Sequence, residues 1–367
     1  MEFEISREQI LKPLQMVVGV VERRQTLPIL ANVLIKIDGG VMSITATDLE
    51  IEMTSDVSIT GTHDAGEITL PARKFIDICK ALPDSALLKI KVEDERAVIR
   101  SGKSRFVLST LPAAEFPNID KLEFSVQFNT TQNKLKQLID KTQFAMAQQD
   151  VRYYLNGLML EFEEQLIRAV ATDGHRLALC DVPADTGCED RSQIIVPRKA
   201  VAELSRLLEA NDNDVEFDLG INHIRLKTAE MTFISKLIDG KFPDYQRVVP
   251  ENSSKKVIAD REGLKQTLGR ASILSNEKYR SVRFAISDNL LKVSAHNPEQ
   301  EEAEEEITIE YNGSPVEIGF NASYIMDALS ALNSDNVVIE TSDENSCCLI
   351  KEPDSDACKY VVMPMRL

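Results

Sequence analysis

Cysteine and histidine are few and poorly spaced for metal chemistry. The six cysteines stand at positions 79, 180, 188, 347, 348 and 358, and no two make a Cys-x-x-Cys pair. Only four histidines accompany them, none at a zinc-ligand spacing, so neither a metal nor a cofactor is expected. Cys79 and Cys180 lie in apolar stretches and read as reduced thiols serving as small hydrophobes. No apolar run approaches the roughly eighteen residues of a membrane span. The opening Met-Glu-Phe-Glu-Ile-Ser has neither the basic nor the apolar region of a secretory signal. The expectation is a cytoplasmic protein without membrane contact.

What is present is acid and ample core material. Formal net charge is −17 and 43% of the 367 residues are hydrophobic. Such a balance argues against a nucleic-acid partner when read as a bulk property. The acid is uneven, however, and its densest block lies at 299–306. A body of several domains can be acidic outside and basic on one face.

The strongest signal is a repeat of about 125 residues. Phe75, Cys79 and Leu82 follow a helical spacing, and Ala200, Leu204, Leu207 and Ile325, Leu329, Leu332 repeat it. Leu11-Lys12, Leu135-Lys136 and Leu264-Lys265 mark an upstream helix in each third. Ala46-Thr47-Asp48 returns as Ala171-Thr172-Asp173, Arg73-Lys74 as Arg198-Lys199, and Phe116-Pro117-Asn118 as Phe242-Pro243-Asp244. A period this long means three copies of a whole domain, expected at 1–125, 126–253 and 254–367.

Each copy opens with an amphipathic helix. Ser6 with Gln9 forms a capping box before the stripe Ile10, Leu14, Val17, and Asp260 is a cap before Leu264 and Leu268. Hairpins follow at 30–37 with 41–47, 155–162 with 166–172, and 282–287 with 290–296. The fold class is α+β: three tandem helix-and-sheet domains. Lys12, Lys136 and Lys265 share one repeat position, and Arg73-Lys74 and Arg198-Lys199 another. They read either as a shared basic face or as ordinary solvated helix faces, and Ser323-Tyr324 breaks the pattern in the third copy.

Catalytic readings find little support. Consecutive glutamates at 301–306 alternate between two faces of a strand, whereas a metal site needs convergence from several elements. Asp173 and His175 have no Ser or Cys nucleophile pattern beside them. Gly102-Lys103-Ser104 mimics the end of a phosphate loop, but Ala97 stands where the pattern requires glycine. A protein-only scaffold is the remaining rival.

Local motifs then resemble one family along the whole chain. Thr26-Leu27-Pro28-Ile29-Leu30, Pro71-Ala72-Arg73-Lys74-Phe75, Ser101-Gly102-Lys103-Ser104-Arg105-Phe106, the stretches 149–157 and 171–177, and the end Tyr360-Val361-Val362-Met363-Pro364-Met365-Arg366-Leu367 are similar to the bacterial DNA polymerase sliding clamps, the beta subunit of DNA polymerase III. The resemblance implies a non-catalytic homodimer, closed head-to-tail into a pseudo-six-fold ring around double-stranded DNA, with helices inside and sheets outside. It implies sequence-independent, topological DNA binding that confers processivity. The implied partners are the DNA polymerase III catalytic subunit, an ATP-dependent clamp loader that is a separate complex, other polymerases, mismatch-repair proteins and ligase.

The resemblance also distributes roles. Arg24, Arg73, Gln149, Tyr153 and Tyr154 fall at DNA-contacting positions, although either tyrosine can instead be core, since Tyr-Tyr-Leu reads as the start of a strand. A partner-peptide groove is implied for Leu155, Thr172, Gly174, His175, Arg176, Leu177, Pro243, Arg247, Val248, Val362, Met363, Pro364, Met365 and Arg366. The terminal apolar stretch also reads simply as a last strand. The dimer interface draws on Lys74, Arg96, Arg100, Lys103, Arg105, Phe106 and Leu108 at one end, and on Ile273, Leu274, Glu299, Glu301, Glu302, Glu304, Glu305 and Glu306 at the other. An apolar centre with charged rims is ordinary interface anatomy. The glutamates equally suit an edge strand that deters aggregation.

Overall fold

In the computed structural model, which describes residues 1–21, 27–119, 122–251 and 253–366, the chain forms two compact units. The first comprises Met1–Asn133 with Arg206–Leu237, the second Lys134–Ser205 with Ile238–Leu367. Among the described residues no helix is long and apolar enough to cross a membrane.

Among the described residues six α-helices come in pairs: α1 (Arg7–Val17) and α2 (Ala72–Ala81), α3 (Gln132–Thr142) and α4 (Arg198–Leu207), α5 (Arg261–Ala271) and α6 (Ala322–Ala331). Their starts are written in the sequence. Ser6 Oγ accepts from the Gln9 N–H at 3.2 Å while the Ser6 N–H donates back to Gln9 Oε1 at 3.3 Å. Asp260 Oδ1 accepts from the Gly263 N–H at 2.6 Å. The expected stripes are buried: Ile10, Leu14 and Val17 on α1; Phe75 and Cys79 on α2; Ala200 and Leu204 on α4; Leu264 and Leu268 on α5; Ile325 and Leu329 on α6.

Each unit holds one eight-stranded and one four-stranded antiparallel sheet. In the first unit the eight strands run in the order Gly66–Pro71, Asn32–Asp38, Val41–Thr47, Ile51–Ser58, Met231–Lys236, His223–Lys227, Asp214–Gly220, Phe124–Thr131. In the second they run Ser192–Pro197, Gly157–Glu163, Leu166–Thr172, Arg176–Pro183, Cys358–Val362, Cys348–Lys351, Asn336–Thr341, Lys255–Asp260. Each is two four-stranded halves sewn edge to edge. The first seam joins Ile51–Ser58 to Met231–Lys236, and the second, about 125 residues on, joins Arg176–Pro183 to Cys358–Val362. The four-stranded sheets are unjoined halves of the same two kinds. One ends on the open strand Ser104–Ser109, the other on the open strand Glu302–Thr308.

Three sequence expectations are corrected. Tyr153–Leu155 is a 3-10 turn, and the strand begins at Gly157, because this short apolar run is closed by Arg152 and Asn156 contacts before a ladder starts. Pro28–Ala31 is likewise a 3-10 turn with proline at its first position, and the strand begins at Asn32. Cys180 is not a free thiol here. It faces Cys358 in the register of the second seam, and the two sulfurs are bonded.

Candidate functional site

The groove residues gather in the second unit around a turn at 172–176. Thr172 Oγ1 donates to the Arg176 carbonyl at 2.6 Å and accepts from the Gly174 N–H at 3.1 Å. Asp173 Oδ1 accepts from the His175 and Arg176 N–H groups at 2.9 and 3.0 Å. Gly174 sits at φ 88°, a left-handed position that favours glycine. The turn is thus locked from within and presents Gly174 and His175 to solvent.

The chain end docks onto that turn. The Met363 N–H donates to the His175 carbonyl at 2.9 Å, and the Met365 N–H to the Gly319 carbonyl at 2.8 Å. Pro364, between them, has no N–H to pair and leaves the terminal methionines half-exposed. Leu155, Leu177 and Val362 lie beneath this surface as core. Leu155 and Leu177 pack with Phe242, Tyr245 and Val361, and Val248 leans on the same cluster. Pro243 and Arg247 stand out from it, Arg247 pairing with Asp244 at 2.8 Å. Arg366 is exposed.

Arg176 is the most connected member. Its guanidinium meets Asp173 at 3.1 Å, the Phe144 carbonyl at 2.6 Å and the Asp327 carboxylate. It also lies over the Tyr324 ring at 4.5 Å and the Phe144 ring at 5.5 Å. Tyr324 is the residue that broke the Arg-Lys repeat, and here that departure has a use. Sequence reasoning missed Phe144, Tyr324 and Asp327, and the broken repeat was the available signal.

A buried polar network backs the groove wall. The Glu161 side chain has no solvent exposure. The Tyr245 hydroxyl donates to it at 2.9 Å, and Gln193 and Arg191 donate as well. Arg168 bonds the Tyr245 oxygen at 3.1 Å and grips Asp181 through two contacts of 2.6 Å. Burial pushes the Glu161 carboxyl up, but the bonds from Gln193, Arg191 and Tyr245 outweigh it and hold the group below its ordinary range.

Of the DNA-position residues, Gln149, Tyr153 and Tyr154 share one loop. Gln149 is exposed at φ 55°. Asp150 braces the loop: its carboxylate takes the Arg152 N–H at 2.8 Å and the guanidinium at 2.8 and 3.0 Å. Those bonds hold the Asp150 carboxyl down at about 2. Tyr153 is 58% exposed, whereas Tyr154 packs against the groove-floor cluster, the two rings meeting edge-on at 5.9 Å. Arg73 lies in the other unit, exposed, with Nη2 donating to the Val21 carbonyl at 3.1 Å. Arg24 lies outside the described residues. Several of the repeated cations are paired within the chain. Lys12 pairs with Glu230, Lys136 with Asp140, and Arg198 holds the Met146 and Ala147 carbonyls.

The residues expected at the interface sit at or near the two open edges. Arg96, Arg100, Lys103 and Arg105 are exposed around Ser104–Ser109, and Lys74 is exposed on α2. Phe106 is half-buried, but Leu108 is already 8% exposed within its own sheet. On the other edge Glu302, Glu304 and Glu306 point to solvent, and Ile273 is 76% exposed with Leu274 half-buried beside it. Glu305 is committed within the chain to Arg270, at 2.7 and 3.0 Å, and Glu304 reaches Lys292 at 2.8 Å. Glu301 caps the loop through Asn297, and Glu299 is exposed. Among the described residues no group of three or more His, Cys, Asp or Glu side chains is placed to hold a metal.

Comparison with known proteins agrees over the full length. Residues 1–120, 129–244 and 246–366 match in turn the N-terminal, central and C-terminal domains of the DNA polymerase III beta subunit. The chain is 54% identical to the beta sliding clamp of Pseudomonas aeruginosa and 50% identical to that of Escherichia coli K12, covering 100% of each protein on both sides. The crystal structure of the Pseudomonas aeruginosa clamp bound to griselimycin superposes with a TM-score of 0.97 at 54% identity, again over 100% of both chains. The chain therefore belongs to the DNA polymerase III beta subunit family, the beta sliding clamps.

Proposed function

We propose that two copies of this chain close head-to-tail into a ring around duplex DNA, and that the groove on the second unit tethers the polymerase to it. The observation that carries this reading is the pair of unjoined half-sheets. Twice within the chain such halves are sewn edge to edge. A second copy offers Ser104–Ser109 to the open strand Glu302–Thr308, and two equal contacts of this kind close on themselves. Arg96, Arg100, Lys103 and Arg105 then face Glu302, Glu304 and Glu306, while Phe106 meets the exposed Ile273 and half-buried Leu274. Lys74 with Glu299 is a further rim pair.

Encirclement also accounts for the acid balance. A ring that slides holds DNA by topology, and each strong phosphate contact would add salt-dependent grip that opposes movement. Arg24, Arg73, Gln149 and Tyr153 touch the duplex lightly, and Tyr154 supports Tyr153 from the core. The domains run 1–125, 126–253 and 254–367. The chain is a non-catalytic processivity subunit that works in the cytoplasm. The DNA polymerase III catalytic subunit, the clamp loader, other polymerases, mismatch-repair proteins and ligase compete for the groove at Gly174, His175, Arg176, Pro243, Arg247, Met363, Pro364, Met365 and Arg366.

The test is retention on DNA of two topologies. The protein is loaded onto a primed circle with clamp loader and ATP, free protein is removed, and the circle is cut once. Retention before cutting and loss after it is the expected result. Equal retention on both forms means ordinary affinity binding and ends the ring reading.

A further inference from the structure

The first unit contains a second groove built on the plan of the one just described. The turn at 47–51 repeats the turn at 172–176 bond for bond. Thr47 Oγ1 donates to the Ile51 carbonyl at 2.9 Å and accepts from the Leu49 N–H at 3.1 Å. Asp48 Oδ1 accepts from the Glu50 and Ile51 N–H groups at 2.9 and 2.7 Å. The Lys236 N–H donates to the Glu50 carbonyl at 2.8 Å, as Met363 does to His175. Pro117 takes the place of Pro243. Beside this turn lies a cleft of about 570 Å³, lined among others by Leu49, Pro117, Ile119, Ile221, His223 and Lys236.

The side chains differ from those of the first groove. Gly174 is replaced by Leu49, which keeps the left-handed backbone at φ 76° and leaves its side chain 39% exposed. A leucine held there carries strain that the surroundings must sustain. Ile221 adds an aliphatic side chain 86% exposed. Met363 is replaced by the exposed Lys236. His223 Nε2 is buried and has no hydrogen-bond partner, an unmet requirement in a folded protein. Burial and the neighbouring Lys236 push the pKa of this imidazole down.

We infer that this cleft binds an extended segment of a partner protein that carries an acidic side chain next to a large aliphatic one. The aliphatic group covers Leu49 and Ile221. The carboxylate accepts from Lys236 Nζ and from His223 Nε2, in the tautomer with its hydrogen on that nitrogen, and so satisfies the orphaned atom. Glu123 also lines the cleft. The cleft shares only the design of the first groove, and each groove has its own reporters.

The test uses the full-length protein labelled at isoleucine and methionine methyl groups and followed by NMR. The probe is acetyl-Ser-Glu-Leu-Ile-Ser-Gly-amide, with its glutamine counterpart as control. Expected is saturable shifting of the Ile119 and Ile221 methyls at about 1 mM peptide or below. The glutamine peptide and the Lys236→Gln variant should each bind about tenfold more weakly. Silence at Ile119 and Ile221, an equal response to both peptides, or shifts confined to Met363 and Met365 would overturn the proposal. Failure of the first groove alone would appear at Met363 and Met365 and leave this result intact.

Discussion

Arg176 joins the turn at 172–176 to helix α6 through its ion pair with Asp327, while Tyr324 on the same helix stacks on its guanidinium. One side chain therefore sets the spacing between the groove turn and the helix beneath the chain end.

Replacing Arg176 with alanine should loosen the groove and unpair Asp327 and the Phe144 carbonyl together. Loss of a half-buried charged hydrogen-bond centre is expected to cost about 2–4 kcal/mol. Thermal or urea unfolding measures that cost, and binding of a polymerase tail peptide should weaken as well. Arg176→Lys should rescue little, because an ammonium cannot make the forked contacts or stack as flatly.

Glu161→Gln tests the network behind the wall. The wild-type carboxyl is held below its ordinary value, so its contribution is full above the unfolded pKa of about 4.3 and is lost as pH falls through the lower folded value. Wild-type stability should decline on acidification through that window. The variant should be less stable at neutral pH, by on the order of 3 kcal/mol, and its stability should change less over the same acid range. An unchanged pH profile would separate Glu161 from that decline.

Ile273→Asp isolates the interface. The side chain is 76% exposed in the protomer, so its change should alter unfolding free energy by less than about 0.5 kcal/mol. Sedimentation should nonetheless show monomers, and processive synthesis should fail. Leu108 is a poorer probe, since it is already buried in its own sheet and its truncation would weaken the domain itself.

Tyr153→Ala and Tyr154→Ala should separate. The first removes an exposed ring and should lower affinity for a primed template by about 1–3 kcal/mol if the ring stacks on a base, with no change in melting. The second withdraws a ring from the groove-floor cluster and should lower the melting temperature.

Much of this was legible in the chain. Ser6 with Gln9, Asp260, the stripes on α1, α2 and α6, and the hairpin turns are local statements, and local physics decides them. The seams were not, because Arg176–Pro183 finds Cys358–Val362 across a long stretch of sequence and either strand would suit many edges. For the same reason Cys180 read as a lone hydrophobe, its partner being 178 residues away. Tyr153–Leu155 misled because a three-residue apolar run has no period to distinguish turn from strand. Leu155 and Leu177 were assigned to the groove by resemblance, yet depth below a surface is a property of packing that no motif records.

The sewn half-sheets also bear on how such an assembly is breached. In the proposed dimer every joint would be an antiparallel ladder, four of them bridged by peptide chain and two not. A machine pulling on the circle meets equal stitching everywhere and a covalent safety line at all but two places. At those two, Glu302, Glu304 and Glu306 line one lip with like charge, which Lys292 relieves in part and the other lip's cations would relieve further. Once parted, that lip repels itself and resists resealing until its counterpart returns, so the fastener with no backup is also the one whose reclosure depends on finding the correct mate.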